Sequence, residues 1–474
     1  MTPSAEKSRC PRIGQALLGL FLLGLSCSRP VSPNLLLIVV DTLRADHLSA
    51  YGYPWDTSPN LKHLASQGVL FEDCTAQSSW TIPSMISLMT GENLFHTTWK
   101  IPETMPVFAE AFSAKNYRTG AIVGNSVLAA DAGFDRGFET YSVRQKGGKM
   151  WSAEDIESQT LSFFDSSDSR PWMLWAHFMD THFPYAPPGE YREWTRDATA
   201  LFDTQQMGLI NSAITAQPQG KQTLLRQQVS YLEQDVDLYD GEIRRVDAAI
   251  GRIMKGLEAR GLLETTIIAV LADHGEGLYQ RTQHPDRFAQ IADAKQSKGS
   301  PLILPDYLQR EHGYWLYEEL IHTPLIISGP GVTAGKRVEA LVSNLDGIAT
   351  LSSLCGISPS GDRGRDLSPW IAGRGKVPDA PFVFSACGEA WAVKVPRGGK
   401  AILPTDKGGR WGQVPQYYDL RQDPGEHQPR HDDGQNGRLF QNLKVAAEED
   451  PFLSWSQAAD PDTLERLREL GYVR

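Results

Sequence analysis

The stretch NLLLIVVDTLRADHLSAYGY, residues 34–53, decides the fold. Residues 35–40 form an unbroken aliphatic run of strand length, and a run without polar alternation belongs to a strand covered on both faces, as in a parallel sheet. It ends at Asp41, and in open α/β sheets functional groups gather at the carboxyl ends of the strands. Outward from this run the pattern repeats. Helices are expected over 58–65, 83–89, 105–114 and 231–257, and strands over 69–71, 119–123, 172–177, 266–272 and 325–328. Strands alternating with helices predict an α/β fold with a mostly parallel central sheet flanked by helices. Two polar stretches, 189–220 and 279–311, exceed ordinary α/β connections and read as lids or insertions. After residue 374 the composition turns to Gly, Pro and charge, which predicts a small C-terminal subdomain over 375–474, closing with an amphipathic helix at 462–470. The catalytic domain is then 33–374.

The chain has 474 residues and a formal net charge of -11 with no dense Lys/Arg run, which excludes a nucleic-acid surface. A small anionic substrate remains open, because a metal and a few cationic side chains reverse the field locally. Lys7, Arg9 and Arg12 precede the apolar run 13–25, which ends at Ser26, Cys27 and Ser28. Residues 1–27 therefore read as a signal peptide, and the expectation is export to the periplasm or outer surface. Gly24-Leu25-Ser26-Cys27 resembles a bacterial lipobox, so acylated Cys27 would tether the protein to a membrane; simple cleavage and an uncleaved anchor are the alternatives. No later stretch reaches about twenty uninterrupted apolar residues. Cys74, Cys355 and Cys387 allow at most one internal disulfide, and buried thiols are the plainer reading.

Asp41 ends one strand and Asp273 with His274 ends another, so a parallel sheet brings them to one edge. Two carboxylates and an imidazole can hold one divalent ion. The nitrogen ligand, and Thr42 where a further carboxylate could stand, favour Zn or Mn over Ca, which takes six to eight hard oxygens. Each Asp alone would read as a turn residue. Thr81, two residues before Pro83, stands near a helix start, where free N–H groups and the helix dipole suit an oxyanion. The plain reading of Thr81 is a helix cap. The chemical reading is a metal ligand and nucleophile, because a cation lowers the pKa of its hydroxyl.

The segments TSPNLKHLASQGVLFEDCTAQSSWTIPSMISLMTG, HFMDTHFPYAPP, YDGEIRRVDAAIGRIMKGLEARGLLETTIIAVLADHGEGL, HGYWLYEELIHTPLIISGPG and YYDLRQDPGE, in this order, resemble the sulfatase family of the alkaline phosphatase superfamily. The resemblance implies a metal-dependent hydrolase of sulfate or phosphate esters, with Asp41, Thr81, Asp273 and His274 as metal site, Thr81 as nucleophile and His182 as general acid at the leaving group. His312 is a second catalytic histidine, with less secure placement because residues 278–311 intervene. Arg44 is a substrate contact or, like Glu276, a brace. Three departures bear on the chemistry. The family's CxPSR motif, whose Cys or Ser is oxidised to formylglycine, reads Thr81-Ile82-Pro83-Ser84-Met85 here. Oxidising a threonine carbinol gives a ketone, so formylglycine is excluded. Asn125 stands at the position of a substrate-binding Lys, and the family's Asp-Asp pair is reduced to Asp41-Thr42. What remains is similar to threonine-dependent phosphodiesterases and phosphotransferases. Phosphodiesterase or transferase chemistry is thus at least as well supported as sulfatase chemistry, and the alternative is an inactive sulfatase-like binding lipoprotein.

Overall fold

The computed structural model describes residues 32–93, 99–192, 202, 204–283, 285–361, 363–387, 390–404, 415–430, 437 and 445. The expected signal segment and the expected helix at 462–470 lie outside the described residues. Strands β1 (Asn34–Val40), β2 (Gly68–Thr75), β3 (Arg118–Val123), β4 (Thr140–Val143), β5 (Trp172–Phe178), β6 (Thr266–Leu271), β7 (Leu325–Ser328) and β8 (Lys336–Ser343) form one sheet in the order β4-β3-β5-β1-β6-β7-β2-β8. β7 runs antiparallel to both its neighbours and the other pairings are parallel, so the fold is an α/β fold with a mostly parallel central sheet. β1 sits between β5 and β6 with every residue buried, which is why its sequence shows no alternation.

Its side chains nonetheless divide by period two. Leu35, Leu37 and Val39 join a core with the helices Thr81–Thr90 and Asn344–Leu354. Leu36, Ile38 and Val40 join the opposite core, under the helices Pro59–Ser66, Ala153–Phe164 and Val229–Ala259. The long helix approaches closely at Gly251, where an added Cβ would stand 2.4 Å from Asn60 Oδ1. The expected 231–257 helix is this element. Helices at Ala153–Phe164 and Asn344–Leu354 and the strand β8 were not anticipated. The polar stretches at 189–220 and 279–311 carry helices at Thr204–Thr215, Gln219–Arg226 and Pro285–Ser297.

Strands β9 (Val383–Cys387), β10 (Ala390–Val395), β11 (Gly399–Pro404) and β12 (Gln416–Asp419) make a small antiparallel sheet. It docks through buried charge: Lys394 Nζ pairs with Asp73 and Glu318, and Lys400 Nζ with Glu318 and Glu426. It also reaches the loop before the helix Thr81–Thr90, where Ser78 Oγ donates to Ala386 O at 2.6 Å. Cys74, Cys355 and Cys387 are free and buried. Among the described residues no helix is long and apolar enough to cross a membrane.

The helix Pro59–Ser66 begins without a side-chain bond from its N-cap Ser58. Asp247 of the long helix takes that role, accepting from the amides of Asn60 (3.1 Å) and Leu61 (2.8 Å) and from Asn60 Nδ2 (2.8 Å). Asp247→Ala therefore leaves three donors without this acceptor, and urea denaturation should show a loss of about 2 kcal/mol.

Candidate metal centre and cleft

β1, β6, β5, β3 and β2 end on the same edge of the sheet, and the segments that follow them carry the site. Asp41 follows β1, Asp273 and His274 follow β6, His182 follows β5, Asn125 follows β3, and the loop after β2 leads to Thr81. Asp41, Asp273 and His274 are fully buried and offer ligand atoms that all lie within 4.8 Å of one another. His274 Nε2 stands 3.6 Å from Asp41 Oδ1 and 3.4 Å from Asp273 Oδ2, and these two carboxylate oxygens have no hydrogen-bond partner. His274 Nδ1 faces Gly275 O at 2.9 Å, which holds the proton on Nδ1 and presents the Nε2 lone pair to the carboxylates. Orphaned buried anionic oxygens around an oriented imidazole fit a divalent cation.

The electrostatics agree. Burial works to raise the Asp41 pKa, but His274, His182, His177 and His312 outweigh it and hold this carboxyl below its ordinary value. Burial and the charge of Asp41 raise Asp273 well above the ordinary range. Burial, reinforced by His312, pushes His274 down to about 3. The two carboxylates therefore repel, and a cation is the species that relieves both.

Two backbone features hold this arrangement. Thr42 adopts φ 58, a left-handed conformation that a β-branched residue rarely takes, and its amide donates to Asp273 Oδ1 at 3.4 Å. Its carbonyl accepts from Tyr239 Oη at 2.8 Å, tying the turn to the long helix. Gly275 passes so close to the helix Glu318–Ile321 that a Cβ would stand 2.1 Å from Glu319 O.

Thr81 is the first residue of its helix, behind the N-cap Trp80, so its position differs from that of a helix cap. Its Oγ1 lies 3.3 Å from Asp41 Oδ2 and 3.2 Å from His274 Nε2. The other sequence candidates divide. His312 packs against His274 with ring centroids 4.4 Å apart and planes tilted by 43°, and His182 meets His312 edge-on at 5.0 Å. Glu276 holds His312 through Nδ1 at 2.9 Å, and burial pushes the Glu276 carboxyl up to about 8. Asn125 Nδ2 donates to Asp41 Oδ2 at 3.0 Å, so its amide orients a carboxylate. Arg44 is a brace: it forks onto Asp46 and donates to Glu276 O at 3.0 Å. It lines a cavity on the Asp46 side, whose lining includes none of Thr81, His182 and His312. Met85, at the family's arginine position, is fully buried in the apolar core. Sequence reasoning passed over His177, which is fully buried 3.9 Å from Asp41 Oδ2. Its only signal was one polar residue inside the apolar run WMLWAHF.

A cleft of roughly 730 Å³ is lined by His182, Glu276 and His312 but by none of Asp41, Thr81, Asp273 and His274, and its walls include Met150, Trp151, Asp180, Phe183, Glu242, Arg245, Arg287 and Glu311. Trp151 lies in no family-like segment, and Asp180, Glu242 and Arg245 lie within two of them but carry no role read from the sequence.

The Sulfatase family profile matches residues 33–357. Human arylsulfatase A is 25% identical over 481 residues, covering 95% of this chain and 89% of that protein. Delta 4,5-hexuronate-2-O-sulfatase of Bacteroides thetaiotaomicron is 20% identical over 500 residues, covering 94% and 95%. Among solved structures, the phosphonate monoester hydrolase of Agrobacterium radiobacter has the same fold, with a TM-score of 0.67 at 19% identity over 88% of this chain and 96% of that one.

Charge repulsion at the site yields a sign test. In chelator, Asp273→Asn should be at least as stable as the wild type, because it replaces a buried carboxyl whose ionisation burial and Asp41 oppose. With Zn or Mn at about a hundredfold excess over Kd, the wild type should gain about 3 kcal/mol and the variant far less. Thermal unfolding with and without metal measures both, and an equal metal response in the two proteins would refute the ligand assignment. A second test concerns the cleft wall, where burial and Asp180 push Glu242 up to about 7. The folded state then holds this proton more tightly than the unfolded chain, so stability is lost as pH rises from about 4.5 toward about 7. Glu242→Gln should flatten that part of the stability profile, as denaturation across this pH range would show.

Proposed function

Because this chain belongs to the sulfatase family, and is a hydrolase of that family, we propose that it cleaves a small anionic sulfate or phosphate ester by transfer to Thr81, without formylglycine. The carrying observation is that the Thr81 hydroxyl faces Asp41 and His274 at the head of a helix. Asp41, Asp273, His274 and Thr81 would hold the metal, which lowers the pKa of a coordinated hydroxyl and offsets charge on nonbridging oxygens. Thr81 Oγ1 gives its proton to Asp41 Oδ2, to which it donates at 3.3 Å, and attacks the sulfur or phosphorus in line. The bond to the leaving-group oxygen breaks, and that oxygen takes a proton from a histidine that lines the cleft. The His182 Nδ1 contact with Phe183 O at 2.6 Å leaves Nε2 for this exchange, whereas His312, held by Glu276 and pushed down to about 3 by burial, stands beside it as a neutral imidazole. Water, or an acceptor alcohol, then releases the group from Thr81.

The sequence supports phosphorus chemistry at least as strongly as sulfur chemistry, since the threonine cannot become an aldehyde. Zn or Mn is the proposed metal over Ca, on the ground of the imidazole ligand, and elemental analysis of protein purified without chelator tests it. Stoichiometric Ca alone would reject it. Export, with acylation of Cys27, is proposed from the basic start, the apolar run and the cysteine that closes it. The intact mass of the mature amino terminus decides it.

Aryl sulfate, phosphate monoester and phosphodiester, each with Zn, Mn or Ca, form the panel that tests the reaction. On whichever ester is turned over, Thr81→Ala should reduce kcat by about a thousandfold or more while changing stability by no more than about 1 kcal/mol. Thr81→Ser should keep measurable activity. Near wild-type turnover by Thr81→Ala would end the mechanism, and failure of the whole panel together with absence of bound metal would favour the binding-lipoprotein reading.

A further inference from the structure

Three carboxylates share one guanidinium in the wall of the cleft. Arg245 Nη2 pairs with Glu154 at 2.6 Å, while its Nη1 stands 3.3 Å from Asp180 Oδ1 and 3.6 Å from Glu242 Oε2. The side chains of Asp180 and Glu242 are only 2% and 4% exposed. Each uses one oxygen on a backbone amide: Asp180 Oδ1 accepts from Ala153 at 2.9 Å, and Glu242 Oε1 from Ala186 at 2.8 Å. Their second oxygens, Asp180 Oδ2 and Glu242 Oε2, have no hydrogen-bond partner.

The other cations of the cleft do not supply the missing charge. Arg287 is paired with Glu311 at 2.5 Å, and Lys149 lies at the exposed rim, 3.6 Å from Asp155. Burial raises the Asp180 carboxyl to about 6 and the Glu242 carboxyl to about 7, the response of anions short of counter-charge. Capping two amides does not explain this surplus, because Asn and Gln would cap them without it. The same cleft presents apolar and aromatic surface, with Met150 46% exposed and Trp151 half-buried beside it.

We propose that the leaving group of the substrate carries a cationic amine, held against Trp151 with the negative charge of Asp180 and Glu242 behind it. An aromatic face backed by buried carboxylates attracts a weakly hydrated cation, and low polarity in the wall lets the field of the carboxylates reach it without direct contact. The substrate would then be zwitterionic: its ester anion at the metal centre and its cation in this subsite. This assignment rests on the reading of the cleft as the ester-cleaving site.

Calorimetric titration of the purified protein with benzyltrimethylammonium, benzyl alcohol and methyl glucoside tests it without turnover. The ammonium ion should bind at least about tenfold more tightly than either neutral probe, and Glu242→Gln, Asp180→Asn and Trp151→Ala should each weaken it by about tenfold. Glu242→Gln keeps the acceptor for Ala186, and its thermal unfolding verifies the fold. Equal binding of a neutral probe, or an unchanged ammonium affinity in folded Glu242→Gln, would overturn the proposal. Selective ammonium binding by a protein that turns over no ester would sink the catalytic reading alone. Turnover with no preference for the cation would sink this subsite alone.

Discussion

Two buried carboxylates at the ends of neighbouring parallel strands are the constraint on which the rest of the site depends. β1 and β6 pair in register from Asn34 with Thr266 to Val39 with Leu271, so their C-terminal extensions deliver Asp41 and Asp273 to one place. Buried charges of like sign are costly, and nearby groups are disposed to bear that cost. The strained turn at Thr42 gives Asp273 an amide, and Asn125 gives Asp41 a side-chain donor. The left-handed Thr42 alone costs about 1 kcal/mol or more. Such strain persists where surrounding contacts hold it, and Tyr239, bonded to both the Thr42 carbonyl and the Arg44 amide, provides two of them.

The fold was legible because its central strands are buried on both faces. Continuous apolar runs at 34–40, 172–178 and 266–271 carry the architecture with little ambiguity. β8 escaped notice for the opposite reason: as an edge strand it mixes exposed Arg337 and Glu339 with buried Val338 and Ala340, and the alternation is short. The helix Ala153–Phe164 could have been found, since Ser152 and Asp155 form a capping box that is visible as residues three apart.

The site was legible only in part. Asp41, Thr81, Asp273 and His274 stand at strand and helix ends, where position along the chain constrains position in space. Arg44 and Asn125 had the right chemistry for an anionic ligand, but their partners Asp46 and Asp41 engage them, one from two residues away and the other from 84. Pairing across the sheet edge is a tertiary outcome that residue type alone does not reveal. Trp151, Asp180, Glu242 and Arg245 are assembled from three separate segments, so no local spacing announces them.

The departures from the family motifs form a consistent set when placed together. Met85 fills apolar space where an arginine would bring charge, and Asn125 donates to Asp41 where a lysine would neutralise it. Both changes remove fixed positive charge from the neighbourhood of Thr81. Arg44, the cation nearest in sequence to Asp41, is engaged with Asp46 and the back of Glu276. On the proposed reading, attraction of an ester anion would therefore fall to a bound metal and to the histidines. Of these, His274 and His312 are pushed down to about 3 by burial, so both are neutral in the folded protein at neutral pH. Neutral imidazole is what a metal ligand requires, and on the proposed reading a bound metal would be the principal positive charge beside Thr81. A chain losing its function by drift would have no reason to keep the two aspartates and the oriented His274. The retained set is one that can hold a divalent cation.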